Sequence, residues 1–242
     1  MVEATRDLQV MLSVITRNRF WTHALSSLSL LQSLRHAKDH APQIHFEWHI
    51  LDDATERWDL KKKNDMINDL VERKWVANYT RLDRHSGTVR ALRHVVDTFL
   101  SRADLDLFFH CDDDILMGEN TLSRAVLDYV TDLSKDFTHA GGVLALFVNS
   151  WLDEQLSVST GSYATAPFLG GASYVVDRAT LAQKNPWKEA LQQGRSTPHE
   201  AHVFWLREML PQQKLKIWIR WKKPYECQHL GNVKTLNFGT QP

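Results

Sequence analysis

The sequence predicts an α/β domain with a mostly parallel central sheet that is flanked by helices. Two observations lead to this fold class. Short apolar runs, typical of strands buried on both faces, alternate with segments whose apolar residues recur with a helical period. The alternation continues from about residue 8 to about residue 148, which is typical of βαβ units. The length of 242 residues suits one large domain of this class.

The first half of the chain contains the clearest elements. Its four predicted strands cover residues 8–16, 44–51, 75–82 and 105–109. Amphipathic helices are predicted between these strands, at residues 20–34, 57–73 and 89–99. A further helix is predicted from residue 120 to about residue 133, followed by a fifth buried strand at residues 141–148.

The second half of the chain is less regular. Residues 157–166 are rich in Ser, Thr, Gly and Ala and predict a loop, and residues 167–177 predict a strand kinked by two glycines. A helix is predicted at residues 199–209 and an alternating strand at residues 215–221. The tail at residues 224–232 has no periodicity.

Composition excludes several classes of protein. The chain has 29 Lys and Arg residues against 29 Asp and Glu residues, so there is no basic excess to favour nucleic acid as a partner. Its two cysteines are too few for a disulfide framework. No apolar run approaches the roughly 18 to 20 residues of a transmembrane segment. We therefore expect a cytoplasmic protein, with peripheral association at a membrane left open.

Three adjacent acids form the most informative motif. Asp112, Asp113 and Asp114 directly follow the fourth predicted strand, and open α/β sheets bind their ligands at the carboxyl ends of strands. Their mutual repulsion would be relieved by a divalent cation, and carboxylate oxygens suit Mg²⁺ and Mn²⁺. The alternative is a solvated acidic turn ahead of the helix that begins near Asn120.

Four segments lie in a fixed order along the chain. They are Val-Ile-Thr-Arg-Asn-Arg at 14–19, with Ser-Leu-Ser-Leu-Leu-Gln at 27–32, then Asp-Asp-Ala-Thr at 52–55, the three acids at 112–114, and Gln-His-Leu-Gly at 228–231. Together they resemble the motifs of GT-A fold glycosyltransferases, most closely the inverting family 2. The likeness spans about residues 10–232. The chain departs from that family at His85-Ser86-Gly87, where an Asn-x-Gly is usual.

The resemblance implies a Rossmann-like GT-A domain over residues 1–242 and a metal-dependent reaction. Residues at about 8–148 would bind a nucleoside diphosphate sugar, with a UDP-sugar expected first. Residues at about 149–242 would bind a glycan, lipid-linked or protein acceptor and would supply a metal-ligating tail. The sugar would be transferred with inversion, and the cofactor would be Mn²⁺ or Mg²⁺.

The resemblance also assigns roles to individual residues. The implied metal ligands are Asp112, Asp114 and His229. The implied nucleotide-sugar contacts are Thr16, Arg17, Asp52, Asp53, Arg90, Asp112 and Asp113, with Arg93 as an alternative to Arg90. For Asp52, an N-cap of the following helix is the competing interpretation.

A base must take the proton of the acceptor hydroxyl in an inverting transfer. Glu200 is the candidate, and Asp153 and Glu154 are the reserves; as a competing interpretation, Glu200 is a favourable acid in the first turn of a helix. Aromatic residues that could stack on an acceptor sugar are Trp151, Tyr163 and Phe168.

Two other functions compete with a glycosyltransferase. A nucleotidyltransferase also places a nucleotide on a parallel sheet, but it usually has a glycine-rich phosphate loop after the first strand, and residues 16–20 contain no glycine. A non-catalytic carbohydrate- or nucleotide-binding module of a larger enzyme is the other alternative. The intact acids and the late histidine disfavour that module.

Overall fold

The structure, a computed structural model, describes residues 7–133, 142–146, 157–160, 162–166, 173–183, 192, 216–220 and 225–230. The helices are α1 (Phe20–His40), α2 (Arg57–Glu72), α3 (Thr88–Ser101), α4 (Thr121–Asp128), which continues into a π-helical turn at Tyr129–Leu133, and α5 (Arg178–Gln183). The strands are β1 (Leu8–Thr16), β2 (Ile44–Asp52), β3 (Val76–Arg81), β4 (Leu107–Asp112), β5 (Ile115–Met117), β6 (Gly142–Ala145), β7 (Ser157–Thr160), β8 (Tyr163–Ala166), β9 (Ser173–Asp177), β10 (Lys216–Arg220) and β11 (Cys227–His229).

Nine of these strands form one sheet in the order β3-β2-β1-β4-β9-β6-β10-β8-β7. Seven of the nine run in one direction, because β9 is antiparallel to both β4 and β6, and β8 is antiparallel to both β10 and β7. The predicted α/β class with a mostly parallel sheet is confirmed. The insertion of β9 between β4 and β6 was not predicted, because the periodicity of the sequence gives the elements and not the order of strands in the sheet.

Helices cover both faces of the sheet because alternate side chains of each strand point to opposite faces. On one face, Val10, Leu12 and Val14 of β1 belong to a core that also includes apolar residues of α1, α2 and α4. On the other face, Met11 belongs to a core with α3 and α5. The result is three layers, with the acids at the carboxyl ends of the strands.

The tail of the chain returns to the three acids. Strand β11 pairs with β5 in an antiparallel ladder that sets His229 opposite Ile115. Two further backbone bonds extend the contact, from Gly118 N to Glu226 O at 2.5 Å and from Leu230 N to Asp114 O at 2.7 Å. The tail showed no periodicity in the sequence, and this strand was not predicted, because pairing with a distant strand supplies order that has no local signal.

Residues 157–166 also differ from the prediction of a loop, since β7 and β8 form an antiparallel hairpin there. Strand β8 pairs with β10, which satisfies its backbone groups and overrides the weak strand preference of Ser, Gly and Ala. The predicted helix at 199–209 lies outside the described residues. None of the helices within the described ranges combines the length and the apolar character that crossing a bilayer would require.

Candidate functional site

The carboxyl ends of β2, β1 and β4 lie side by side. Thr16 is paired with Asp52 across β1 and β2, and Ile15 with Asp112 across β1 and β4. These three strand ends therefore bring together the first three segments that carry the resemblance. The β5–β11 ladder adds the fourth segment through His229.

Asp112, Asp113 and Asp114, called the acidic turn below, link β4 to β5. Asp112 is the last residue of β4, and the other two form the turn that follows. Asp113 is 1% exposed and Asp114 is 4% exposed, so these two acids do not form a solvated turn. The Asp112 side chain is 37% exposed and accepts a hydrogen bond from Nε2 of the buried His110 at 3.1 Å.

Arg19 neutralises the two buried acids. Its guanidinium donates to Asp114 Oδ2 at 2.8 Å and to Asp113 Oδ1, while the Thr16 hydroxyl donates to Asp113 Oδ2 at 2.7 Å. Burial raises the pKa of Asp113 to about 6, although Arg19 and Thr16 act in the opposite direction. Burial alone would lower the pKa of Arg19, but the charges of Asp113 and Asp114 raise it overall. The Arg19 guanidinium thus compensates the negative charge of the buried Asp113 and Asp114.

Sequence reasoning did not single out Arg19, because it occurs within a short polar turn with another arginine. Its backbone has φ 47° and ψ 46° and forms the N-cap of α1. This left-handed conformation is uncommon for a residue with a side chain. It places Arg19 at the start of α1, from where its side chain reaches the acidic turn.

Lys63 is a second basic residue that sequence reasoning missed. It is fully buried, and its Nζ donates to Thr16 Oγ1 at 2.9 Å, to Thr55 Oγ1 at 2.8 Å and to Asn18 O at 2.8 Å. Burial lowers the pKa of Lys63, against the opposing charges of Asp52, Asp113 and Asp59. A signal existed in the sequence, since Lys63 precedes the buried Ile67 and Leu70 at the helical spacings of four and seven.

Asp52 closes the loop between β2 and α2. The side chain is fully buried, and its Oδ1 accepts hydrogen bonds from Thr55 N and Thr55 Oγ1, both at 2.7 Å. Tyr79 Oη lies 3.4 Å from Oδ2. The competing interpretation of Asp52 as an N-cap is wrong, because α2 begins at Arg57 and its N-cap is Glu56.

Asp53 holds the loop between β3 and α3. Its carboxylate accepts hydrogen bonds from Ser86 N at 2.6 Å, Ser86 Oγ at 2.8 Å and Gly87 N at 2.9 Å, and it lies 2.7 Å from His85 Nδ1. Burial acts to raise the pKa of Asp53, but the hydrogen bonds from Ser86 and Gly87 lower it overall. Gly87 has φ 87°, a conformation that favours glycine. The His-Ser-Gly segment thus serves as the partner of Asp53.

Asp114 and His229 present the donor atoms that best fit a cation. Asp114 Oδ1 is buried and accepts no hydrogen bond from the described residues, and His229 Nε2 lies 3.4 Å from it. A carboxylate oxygen suits Mn²⁺ or Mg²⁺, whose remaining positions water and phosphate commonly fill, and a neutral imidazole nitrogen is a common metal ligand in general. Among the described residues, no group of three or more His, Cys, Asp and Glu side chains is arranged to hold an ion.

Within the described residues, neither of the two remaining arginines of the predicted site forms an ion pair with the acidic turn. Arg17 is half-exposed and lies 3.4 Å from Glu56. Arg90 is exposed in the first turn of α3 and lines a cavity of about 490 Å³ together with Arg93, His94 and Asp97. Within the described residues, Arg90 makes no hydrogen bond with the acidic turn, and Arg93 is bonded to Asp97 instead.

The predicted base and its reserves, Glu200, Asp153 and Glu154, lie outside the described residues, as do Trp151 and Phe168. Tyr163 is described and is buried, and its hydroxyl donates to Asp132 Oδ2 at 2.9 Å. Its ring is therefore packed within the fold and not displayed for stacking on a sugar.

Solved structures share this architecture. Residues 1–349 of S. aureus TarS superpose with a TM-score of 0.58 at 15% identity, covering 90% of this chain and 59% of that one. The mannosyltransferase PcManGT from Pyrobaculum calidifontis, in complex with GDP-Man and Mn²⁺, gives 0.51 at 18% identity over 74% of this chain and 47% of that one. The chain has the GT-A fold. GalNAc-T7 with UDP, GalNAc and Mn²⁺ is a third GT-A structure, at 0.50 and 13% identity over 73% and 36% of the two chains.

The likeness to these GT-A structures is confined to the fold, because identity is low throughout. The chain spans less than two thirds of the length of each of the three structures. No protein-family model and no curated protein matches its sequence.

Proposed function

We propose that the protein is a metal-dependent glycosyltransferase that moves a sugar from a nucleoside diphosphate sugar to an acceptor hydroxyl. One observation carries the proposal: a buried acid pair and a histidine meet at the end of β4, next to the polar ends of β1 and β2, within a GT-A fold. Two structures of the same fold were solved with Mn²⁺, one with UDP and one with GDP-Man. These complexes support a nucleotide donor and a divalent cation.

In this proposal the donor lies along the three strand ends. The nucleoside occupies the ends of β1 and β2, near Thr16, Arg17, Asp52 and Asp53. The diphosphate lies towards the acidic turn, with Asp112, Asp114 and His229 as ligands of Mn²⁺ or Mg²⁺. When bound, such a cation acts as a Lewis acid that stabilises the charge on the departing diphosphate.

The protein's own residues position and neutralise the donor. Arg19 already pairs with Asp114 and is half-exposed, so its guanidinium can also donate to a phosphate oxygen. Asp113, bonded by Thr16 and Arg19, keeps this guanidinium next to the acidic turn. Asp52 and Asp53 hold the loops that border the nucleoside, and Asp112 is oriented by His110.

The acceptor side of the proposal rests on the resemblance. Glu200 is the proposed base, taking the proton of the acceptor hydroxyl during an inverting transfer. A UDP-sugar is the first donor to test, and the acceptor is a glycan, a lipid-linked saccharide or a protein. Arg90 is retained as a candidate for contact with the donor diphosphate.

A thermal-shift screen with UDP, GDP and CMP tests the donor class, each nucleotide with and without Mn²⁺. A ligand that binds only the folded state raises the melting temperature, so we expect a rise that requires both a nucleotide and Mn²⁺. Nucleotide sugars with the responding base are then assayed for hydrolysis. Absence of any nucleotide response would reject the proposed function.

A further inference from the structure

Lys63 connects the two loops that border the proposed donor site. It projects from α2, is fully buried, and bonds to Thr16 and Asn18 after β1 and to Thr55 after β2. These three bonds use all three hydrogens of its ammonium group. The Lys63 side chain therefore links the residues at the end of β1 to the loop that follows the neighbouring strand β2.

The three bonds also decide which way two threonine hydroxyls point. A lysine ammonium can donate but cannot accept, so Thr16 Oγ1 and Thr55 Oγ1 both accept from it. Each hydroxyl hydrogen must then go to another acceptor, and each has a carboxylate at 2.7 Å: Asp113 Oδ2 for Thr16 and Asp52 Oδ1 for Thr55. Two chains of hydrogen bonds, called relays below, therefore start at the Lys63 ammonium. One runs through Thr16 to Asp113, and the other runs through Thr55 to Asp52.

We propose that Lys63 is a positioning residue that couples the nucleoside end of the donor site to its cation end. One relay orients Asp52, and the other orients Asp113 beside the proposed metal ligand Asp114. The ammonium polarises both hydroxyls, which strengthens the hydrogen bonds they donate. This inference rests on the proposed function for the identity of the two ligands.

The direction of the coupling follows from charge. A divalent cation next to Asp114 offsets the negative charge of the acidic turn and weakens the attraction of that turn for Lys63. The ammonium then bonds more strongly to Thr55, which orders Asp52 and the loop around the nucleoside. Binding of a cation and binding of a nucleoside should therefore favour each other, and by equal factors.

Uridine is the probe that isolates this coupling. It has no phosphate group, so it cannot contact the metal ion directly through a phosphate. If UDP is not the nucleotide that responds, guanosine or cytidine replaces uridine to match it. We expect Mn²⁺ to raise the affinity of the wild-type protein for the nucleoside about fivefold, at the low end of typical coupling factors. In Lys63→Met the factor should fall to about one.

Matched variants separate coupling from packing. Thr16→Val and Thr55→Val each cut one relay while preserving side-chain shape, and each should also abolish the effect of Mn²⁺ on nucleoside affinity. Lys62→Met changes the exposed neighbouring lysine and should keep the fivefold effect. A purely structural role for Lys63 would lower both affinities and leave the coupling factor unchanged. An unchanged factor in Lys63→Met or in the two valine variants therefore overturns the inference.

Failure of the inference can be told apart from failure of the proposed function. If wild-type protein binds UDP only with Mn²⁺ but binds uridine equally with and without it, the function stands and the coupling is rejected. If no nucleotide binds, the function is rejected, and urea unfolding decides the remaining point. Thr16→Val and Thr55→Val should then shift the unfolding midpoint non-additively, and additively when Lys63→Met is also present. Additive shifts in both backgrounds reject the coupling.

Discussion

The acids after β2 and the acids after β4 look alike in the sequence, but the structure uses them differently. Asp52 and Asp53 accept most of their hydrogen bonds from neutral groups of the loops around them, such as Thr55 and Ser86. Asp113 and Asp114 are buried against a charged partner, Arg19, which approaches from the start of α1. Asp52 and Asp53 therefore hold loops in place. The charge of Asp113 and Asp114 is balanced by the Arg19 guanidinium, whose place beside them a bound metal ion could take.

This difference between the two acid groups shows that burial of a carboxylate does not by itself identify a ligand-binding site. Asp53 is as buried as Asp114, yet both of its oxygens are occupied by the β3–α3 loop. Asp114 keeps one oxygen without a hydrogen bond from the described residues. Loss of a carboxylate should therefore affect stability at the first group and ligand binding at the second.

The largest expected effect is on stability, for Asp53→Ala. The change leaves Ser86 and Gly87 with unpaired backbone donors, so the free energy of unfolding should fall by about 3 kcal/mol. Urea unfolding measures it, with Asp83→Ala at a nearby exposed position as the control. A loss no larger than that of the control would remove the distinction between the two acid groups.

Asp114→Ala should act mainly on binding. If Asp114 holds the cation, the affinity for UDP in the presence of Mn²⁺ should fall about a hundredfold, which corresponds to about 2.7 kcal/mol. Calorimetric titration measures the change, and Asp39→Ala at the exposed end of α1 is the control. Unchanged affinity would show that the oxygen left without a hydrogen bond is not a ligand.

The buried His23 is also affected by the charges of Lys63 and Arg19, and it gives the stability of the protein a measurable dependence on pH. Burial, and then the charges of Lys63 and Arg19, lower the pKa of His23 to about 3. The unfolded chain takes up this proton near pH 6.5 and the folded chain does not, so stability falls as pH decreases below 6.5. Between pH 7 and pH 4.5 the free energy of unfolding should lose about 2.5 kcal/mol through His23.

The His23→Leu variant isolates that contribution. The loss of unfolding free energy between pH 7 and pH 4.5 should be smaller in this variant than in the wild type, by about 2.5 kcal/mol. His40→Leu, at an exposed position of the same helix, is the control. Equal pH slopes in wild type and His23→Leu would place the proton uptake elsewhere.

The smallest expected effect concerns Arg19. Because its guanidinium bonds to one oxygen of Asp114 and places a positive charge beside the proposed metal ligands, Arg19→Gln should raise the affinity for Mn²⁺ alone, by about fivefold or roughly 1 kcal/mol. Electron paramagnetic resonance of free Mn²⁺ measures it. Arg17→Gln is the matched control. Among the described residues, its only lost ion pair is the one with Glu56. A weaker affinity in Arg19→Gln would mean that Arg19 supports the metal and does not compete with it.

Periodicity predicted the elements from β1 to β4 closely, because each has a long enough apolar pattern to separate a strand from a helix. The resemblance implied that Thr16, Asp52 and Asp112 share one site, and the parallel pairing of β1 with β2 and β4 brings them to the same edge of the sheet. Short elements with distant partners could not be predicted in this way. Strands β5 and β11 have three residues each and gain their order from one another.

Of the two basic residues that serve the acids, Arg19 could not be identified from the sequence, whereas the helical spacing of Lys63 from Ile67 and Leu70 was a usable signal. The chain has 29 Lys and Arg residues, and any of them could in principle pair with the acids. Arg19 is selected by its left-handed backbone conformation at the start of α1, and Lys63 by its position on the buried face of α2. The structural role of the His85-Ser86-Gly87 turn was likewise invisible, since it depends on Asp53, more than thirty residues earlier. The proposed roles of Glu200 and of the acceptor-side residues remain predictions from the resemblance.

The pairing of β11 with β5 has a consequence for how the protein forms on the ribosome. Thr16, Arg19 and Lys63 are synthesised before the acidic turn, so its compensating partners exist when it emerges. His229 follows about 110 residues after β5, which takes roughly 5 to 20 s at ordinary rates of translation. For that interval the nascent chain contains Arg19 but not His229, so the guanidinium can pair with the acids before the histidine is available.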